Sequence, residues 1–137
     1  MIKTITAKQL HKYNACLPQI ALFEQTFPSG EVRLTKKNIQ KYAHKFDFNF
    51  MMRFLNEEES QMWTMKDQTL WGHYIEVVRT IRGKYRNRID AVMQTNKEYD
   101  SLNKKRTYEI YRAHKKYRKA SALALFTIYN NQQEIKL

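Results

Sequence analysis

Residues 70–92 read LWGHYIEVVRTIRGKYRNRIDAV, and this stretch decides the fold. Its apolar side chains recur every three or four residues, which is the spacing of one face of an α-helix. The stretch repeats after eleven residues, because Trp71-Gly72-His73-Tyr74 is followed by Arg82-Gly83-Lys84-Tyr85. Eleven residues make three helical turns, so the apolar face stays nearly straight along the helix. We predict that a second helix packs on the following positions: Leu70, Tyr74, Val77, Ile81, Tyr85, Arg88 or Ile89, and Val92.

Two of the glycines, Gly72 and Gly83, occupy the same position in this repeat. A glycine inside a helix costs about 1 kcal/mol relative to alanine. Their recurrence predicts that another helix approaches closely at this position.

The repeat lies inside a longer helical region. It follows three acids, Glu57 to Glu59, which suit the positive end of a helix dipole. A helix from about Ser60 to Tyr99 would be about 60 Å long. The run Asp100-Ser101-Leu102-Asn103 is the predicted stop, because Asp, Ser and Asn side chains compete for backbone hydrogen bonds. One kinked helix through to residue 130 is the alternative, and a hairpin is favoured because it covers the apolar face.

The C-terminal helix supplies the second half of the hairpin. Its stretch from Ala120 to Tyr129 is apolar on almost every side, which predicts burial on more than one side, including against the N-terminal part of the chain. The positions expected to face the first long helix are Ile110, Ala113, Tyr117, Ala120, Ala124 and Ile128.

The N-terminal part carries the signals of several short helices. The predicted fold is therefore all-α, with a compact N-terminal bundle of short helices at residues 1–56 and a long antiparallel helical hairpin at residues 57–137, forming one cooperative domain. The phenylalanines and methionines between residues 46 and 54 are expected to form the core. The local signals are a Thr6–Gln9 capping box, Pro18 in a first turn, a turn at 27–30, an extended piece at 31–34, caps at Thr35 and Asp47, and a helix at 48–55.

The composition limits the class of protein. The chain has 137 residues, one cysteine, three glycines and a formal net charge of +12. A single cysteine excludes an internal disulfide, and Cys16 is predicted to be a small buried residue. Scarce glycine argues against a barrel and against a Gly-rich phosphate loop. Because no stretch reaches the roughly 20 apolar residues of a bilayer span, we expect no membrane partner and a cytoplasmic location.

The positive charge is clustered. Residues 1–55 carry +6 and residues 101–137 carry +7, whereas residues 56–100 carry −1. On both long helices the basic residues fall opposite the predicted apolar face, and between Arg79 and Arg88 there is no acid. Such faces suit phosphate, and exposed tyrosines can stack on unpaired bases. The candidate binding residues are Arg79, Arg82, Arg86, Lys104, Lys105, Tyr108, Arg112, Lys115, Lys116 and Lys119.

Catalytic motifs are missing from the sequence. The histidines His11, His44, His73 and His114 are scattered and form no HxxxH or HExxH pair. GxSxG, GxGxxG and GxxxxGK[ST] motifs are also absent. We therefore expect no enzymatic activity, no cofactor, no metal and no small-molecule substrate.

The opening of the chain has a distinctive pattern: Asn14-Ala15-Cys16-Leu17-Pro18-Gln19, Phe23, Phe27-Pro28-x-Gly30 and Thr35, with Tyr and Ala recurring from Tyr108 to Tyr129. In this pattern the chain resembles a family of small phage and prophage proteins of uncharacterised function. This chain departs from the family by having more Lys and aromatic residues where those proteins use Ala. The resemblance implies a phage origin, a place in the host cytoplasm, and no established activity.

These observations lead to one main functional prediction and two alternatives. The main one is a non-enzymatic protein that binds nucleic acid (DNA or RNA) or a host nucleoprotein complex through its basic helix faces. The first alternative is a phage inhibitor of a host defence complex, similar to an anti-CRISPR protein, that acts by protein–protein contact. The second is a component of virion assembly. A homodimer is compatible with each of them.

Overall fold

The computed structural model describes residues 3–92 and 96–135. Most of these residues are helical, and two long helices pack as a hairpin after short N-terminal elements, which confirms the predicted fold class. In chain order the elements are β1 (Thr4–Thr6), α1 (Ala7–Lys12), α2 (Leu17–Thr26), β2 (Glu31–Arg33), α3 (Lys36–Tyr42), a 3₁₀ helix (Phe48–Phe54), α4 (Glu57–Ala91) and α5 (Asn96–Ile135).

The chain divides into two compact units. Unit 1 consists of the chain up to Asp67 together with the chain from Arg118 onward, and unit 2 consists of Gln68–Tyr117. Each unit therefore contains part of both long helices. The cooperative folding of segments 1–56 and 57–137 stays a prediction.

The predicted helix starts of unit 1 are confirmed. Thr6 and Gln9 form the capping box, in which Thr6 Oγ1 accepts the Gln9 N–H at 3.2 Å and Gln9 Oε1 accepts the Thr6 N–H at 2.9 Å. Pro18 lies in the first turn of α2, where its missing N–H leaves no hydrogen bond unmade. Thr35 and Asp47 each accept a backbone N–H from the turn that follows. These side-chain oxygens satisfy donors that a helix start leaves open.

Cys16 is exposed, which corrects the prediction of a buried cysteine. It precedes α2 as the N-cap residue and has an extended backbone, with φ −64° and ψ 146°. This backbone places Cys16 outside the helical turns of α2, whose apolar face buries Ile20 and Phe23. The side chain lines a cleft of about 270 Å³ together with Gln19 and Arg53.

The sequence did not predict the two-stranded antiparallel ribbon of β1 and β2. β1 and β2 lie side by side with Ile5 opposite Val32, and both side chains are buried. Residues 31–34 were predicted to be extended. The strand that pairs with them, β1, was missed because it has only three residues and a single buried apolar side chain, Ile5. Gly30 ends the preceding turn with φ +76°, a conformation that glycine adopts without strain.

The core of unit 1 is aromatic. Phe23 and Phe46 have ring centroids 5.2 Å apart in an edge-to-face arrangement, and Phe46 and Phe48 lie 5.1 Å apart. The helix at 48–54 is a 3₁₀ helix, in which residues three apart stand directly above one another. That geometry buries both Phe48 and Met51.

The ends of the two long helices close this core. Trp63 of α4 and Leu125 and Tyr129 of α5 are buried in the same cluster as the N-terminal phenylalanines. Ser121, which is 7% exposed, donates from its Oγ to Asp67 Oδ1 at 2.6 Å. The stretch from Ala120 to Tyr129 is therefore buried or half-buried except at the exposed Thr127. Its most buried apolar side chains are Ala122, Leu125 and Tyr129, whereas Ala120, Ala124 and Ile128, which were predicted to face α4, are only half-buried.

In unit 2, the predicted apolar face of α4 is buried or half-buried, with one correction. Tyr85 and Ile89 are buried, as predicted, whereas Arg88 is exposed. Val78 is 7% exposed and Val77 is 46% exposed, so the prediction of Val77 in the packed face is wrong. Val78 precedes the buried Ile89 by eleven residues, so its burial follows the eleven-residue period. Val77 precedes the exposed Arg88 by the same interval and is itself exposed.

An aromatic cluster joins α4 to α5 in unit 2. Tyr74 stacks on Tyr117, with ring centroids 5.6 Å apart and an angle of 26° between the planes. Trp71 meets Tyr117 edge-on at 5.2 Å, and His114 lies 5.5 Å from Tyr74. Such contacts add to the free energy gained by burying the rings.

The predicted stop at residues 100–103 is wrong. α4 ends at Ala91 and α5 begins at Asn96, so Asp100-Ser101-Leu102-Asn103 lies inside α5. The helix propensities of Asp, Ser and Asn differ from those of good helix formers by less than about 0.7 kcal/mol each. The pairing of Tyr74 with Tyr117 and of Lys84 with Glu109 fixes how α4 packs against α5 in unit 2, and this packing outweighs the weak local preference of residues 100–103.

Gly72 and Gly83 do not mark a close approach, which corrects that prediction. Both are exposed, and among the described residues no neighbouring atom lies within 4 Å of a Cβ built at either position. Packing therefore gives no reason for glycine here.

Alanine at either glycine should stabilise the protein. The added methyl meets no neighbour, and alanine restricts the unfolded chain, so we expect Gly72→Ala and Gly83→Ala each to raise the free energy of unfolding by up to about 1 kcal/mol. Thermal unfolding followed by circular dichroism at 222 nm measures the change. A lower midpoint in either variant would contradict the open surroundings of that glycine.

Candidate nucleic-acid interface

A basic and aromatic surface runs along the outer side of α5 in unit 2. We name it the α5 strip. Its tyrosines are strongly exposed, since Tyr108 is 60% and Tyr111 is 52% exposed. Its predicted basic residues are exposed except Lys115, which is half-buried and departs from the predicted outward position. The α5 strip consists of Lys104, Lys105, Tyr108, Tyr111, Arg112, Lys115 and Lys116.

Each exposed tyrosine carries a cation one turn further along the helix. The Arg112 guanidinium carbon lies 5.9 Å from the centroid of the Tyr108 ring, and Lys115 Nζ lies 5.5 Å from that of Tyr111. The second contact is consistent with the partial burial of Lys115, because a long cationic side chain that reaches a ring loses part of its own exposure. Both rings keep more than half of their surface open to solvent.

The strip faces solvent without acidic side chains. Between residues 101 and 119 the sequence has eight basic residues and a single acid, Glu109. Glu109 points toward α4, where its Oε1 accepts a hydrogen bond from Lys84 Nζ at 3.0 Å. Unit 2 as a whole carries twelve basic and five acidic side chains. Its positive charge is therefore uncompensated on the α5 side.

The ion pair between Lys84 and Glu109 also changes a pKa. The hydrogen bond to Glu109 and the attraction of its carboxylate raise the pKa of Lys84 above its usual 10.5. A raised pKa in the folded state means that this pair stabilises the fold below pH 10.5 and loses that effect as the pH rises further. The charge of Lys84 is thus fixed at physiological pH.

The three predicted arginines of α4 line a groove. Arg79, Arg82 and Arg86 surround a hollow of about 380 Å³, whose other walls are Ile75, Val78 and Gly83. Arg79 forms an ion pair with Glu76, three residues earlier.

The structure does not bring the two predicted basic faces together. Lys84 lies on the same side of the hairpin as its partner Glu109, and Lys105 and Arg112 are four and three residues from Glu109, on that same side of α5. Arg82 and Arg86 are each two residues from Lys84, which places them on the opposite side of α4. The groove and the Lys105–Arg112 edge of the strip therefore face opposite sides of unit 2.

Lys119 is the remaining predicted site residue. It is exposed, but it lies in unit 1, beyond the end of unit 2 at Tyr117. It is therefore not counted among the residues of the α5 strip.

Two features of the surface were not predicted. The sequence placed Tyr111 only at the edge of the basic arc, although its i, i+4 spacing to Lys115 is a signal for a cation–ring contact. The groove was also missed, and its signal is Gly83, a residue without a side chain inside an arginine-rich stretch.

Within residues 3–92 and 96–135, no three His, Cys, Asp or Glu side chains lie together so as to hold a metal ion. In the same part of the chain, no helix has the length and apolar character that a membrane span requires.

Comparison of the chain with models of known protein families, with curated proteins and with solved structures gives no match. The resemblance to phage proteins stays a prediction.

Proposed function

We propose that the protein is a non-enzymatic phage-type protein that binds nucleic acid, free or within a nucleoprotein complex, through the α5 strip. The observation that carries the proposal is an acid-free helix face on which exposed tyrosines alternate with cations. Lys and Arg side chains on such a face would displace the counterions of a phosphate backbone.

The tyrosines favour unpaired bases as ligands. Every base offers a flat face, so stacking on Tyr108 and Tyr111 requires no particular sequence. The cations lie beside these rings, with Arg112 5.9 Å from the centroid of Tyr108 and Lys115 5.5 Å from that of Tyr111. In the proposed complex they contact the phosphates that flank a stacked base. The proposed ligand of the strip is therefore a single strand, or the unpaired part of a folded nucleic acid.

A second candidate function rests on a different surface. Met62 and Met65, three residues apart on α4 in unit 1, are 55% and 69% exposed. Methionine is common at surfaces that bind other proteins, because its flexible side chain adapts to varied partners. This pair supports the alternative proposal of an inhibitor that acts on a host complex by protein–protein contact.

Charge reversal should separate specific binding from general attraction. We expect Arg112→Glu with Lys116→Glu to weaken binding to a single-stranded oligonucleotide at least tenfold at 50 mM salt, because it removes two phosphate contacts and adds two repulsive charges. The matched control, Lys36→Glu with Lys37→Glu, changes the net charge equally at exposed positions of α3. Fluorescence anisotropy at 50 and 200 mM salt measures both, and five strip cations predict a loss on the order of a hundredfold between the two salts for the unmodified protein. If both variants lose affinity for the oligonucleotide equally, the α5 strip is not its binding surface.

The tyrosines should matter more for single strands than for duplexes. Stacking contributes about 1–3 kcal/mol per base, so we expect Tyr108→Ala with Tyr111→Ala to lower single-strand affinity tenfold or more, with a much smaller effect on a blunt duplex. Tyr99→Ala is the control, because Tyr99 is an exposed tyrosine of α5 outside the strip. The same loss for single strand and duplex would show that the rings do not stack on bases.

The protein-contact alternative makes its own prediction. If Met62 and Met65 bind a host protein, Met62→Lys with Met65→Lys should abolish capture of that protein from a nuclease-treated host lysate, whereas Arg112→Glu with Lys116→Glu should leave it unchanged. Affinity capture followed by mass spectrometry provides the measurement. A protein captured equally by both variants and by the unmodified chain would count against the methionine surface.

A further inference from the structure

The groove around Gly83 is built differently from an ordinary charged helix face. Its base is apolar, formed by Ile75 and the buried Val78, and its rim consists of arginines. Because Gly83 has no side chain, the hollow stays open between Arg82 and Arg86. A volume of about 380 Å³ is in the range of small ligand sites.

The charges around the groove favour an anion. Glu76 is engaged by Arg79, and the described residues provide no ion pair for Arg82 or Arg86. Asp90 lies one turn beyond Arg86, so the acids stand at the two ends of the groove and not inside it. A guanidinium group donates two parallel hydrogen bonds to a phosphate, and the apolar base suits the carbon face of a sugar ring. These features fit a phosphodiester backbone.

The position of the groove separates it from the Lys105–Arg112 edge of the α5 strip. The groove belongs to α4 and lies on the side opposite Lys84, whereas the edge of the strip shares the side of Lys84 and Glu109. From one of these sides to the other, a helix pair is about one helix diameter thick, roughly 10 Å. Bound phosphates lie beyond the two sides, so they are separated by more than the Debye length of about 8 Å at physiological salt, and salt screens much of their repulsion.

We propose that the groove is a second phosphate-binding site, and that unit 2 therefore holds two nucleic-acid segments at once. One segment lies along the Lys105–Arg112 edge of the α5 strip and the other lies in the groove between Arg82 and Arg86. The inference rests on the proposed function of the strip and adds a bridging activity to it.

The experiment captures one oligonucleotide with another. A short biotinylated oligo-dT is immobilised, the full-length protein is bound to it, and retention of a fluorescent second oligo-dT is measured. We expect the unmodified protein to retain the second strand. Gly83→Leu fills the groove with a side chain and should lower this retention at least tenfold, while binding to the immobilised strand stays within about twofold.

Gly72→Leu is the matched control. It makes the same substitution at the same position of the eleven-residue repeat, on an exposed residue that does not line the groove. It should retain the second strand as well as the unmodified protein does. Arg82→Ala with Arg86→Ala removes the charge without adding bulk and should reproduce the effect of Gly83→Leu, and circular dichroism verifies that each variant is helical.

The outcomes separate this inference from the proposed function. If the protein binds no immobilised strand, the proposed function fails and the inference fails with it. If it binds that strand but never retains the second, only the inference is overturned. Retention that survives both groove variants would also overturn it, since the bridge would then arise from two copies of the strip in a dimer. If Gly72→Leu loses retention of the second strand equally, the loss comes from a change in the helix and not from the groove, and the inference is overturned.

Discussion

The stacking of Tyr74 on Tyr117 is the contact on which the arrangement of unit 2 depends. The two rings lie on different helices, 5.6 Å apart, and fix which side of α4 faces α5. Because Tyr85 follows Tyr74 by eleven residues, the same rotation buries Tyr85 three turns later. Because this side packs against α5, every charged residue of α4 within unit 2 has a defined direction. The aromatic contact therefore decides where the positive charge of the hairpin is presented.

Local signals predicted much of unit 1 because they act over three or four residues. The capping box of Thr6 and Gln9 needs only its own sequence to form, and so does the turn that ends at Gly30. The ribbon was beyond such reasoning, because pairing Ile5 with Val32 depends on contacts between distant residues. The exposed position of Cys16 likewise follows from an extended N-cap backbone, which the apolar neighbours of the cysteine in the sequence do not indicate.

The sequence predicted that two long helices are present. It did not predict every residue of α4 that faces α5, or the residue at which α4 ends. Two adjacent valines offered the same hydrophobicity, and only the contact with α5 distinguishes the buried Val78 from the exposed Val77. The Asp100–Asn103 run lies inside α5 for the same reason, since pairing between helices outweighs small propensity differences. The candidate binding residues followed this pattern. Their exposure was largely predictable from periodicity, but their division between two sides required the ion pair of Lys84 with Glu109.

Asp67 shows how a polar residue in the apolar repeat can help to fix the register of the helices. It precedes Val78 by eleven residues and Ile89 by twenty-two, so the period alone would place an apolar side chain there. Within unit 1, its carboxylate instead accepts the hydroxyl of the buried Ser121. Displacing α5 by one turn would take this acceptor away from Ser121, at a cost of about 1–3 kcal/mol for a buried donor left unpaired. Apolar contacts tolerate such a displacement more readily than this hydrogen bond does, so the pair selects one register of α4 against α5 in unit 1.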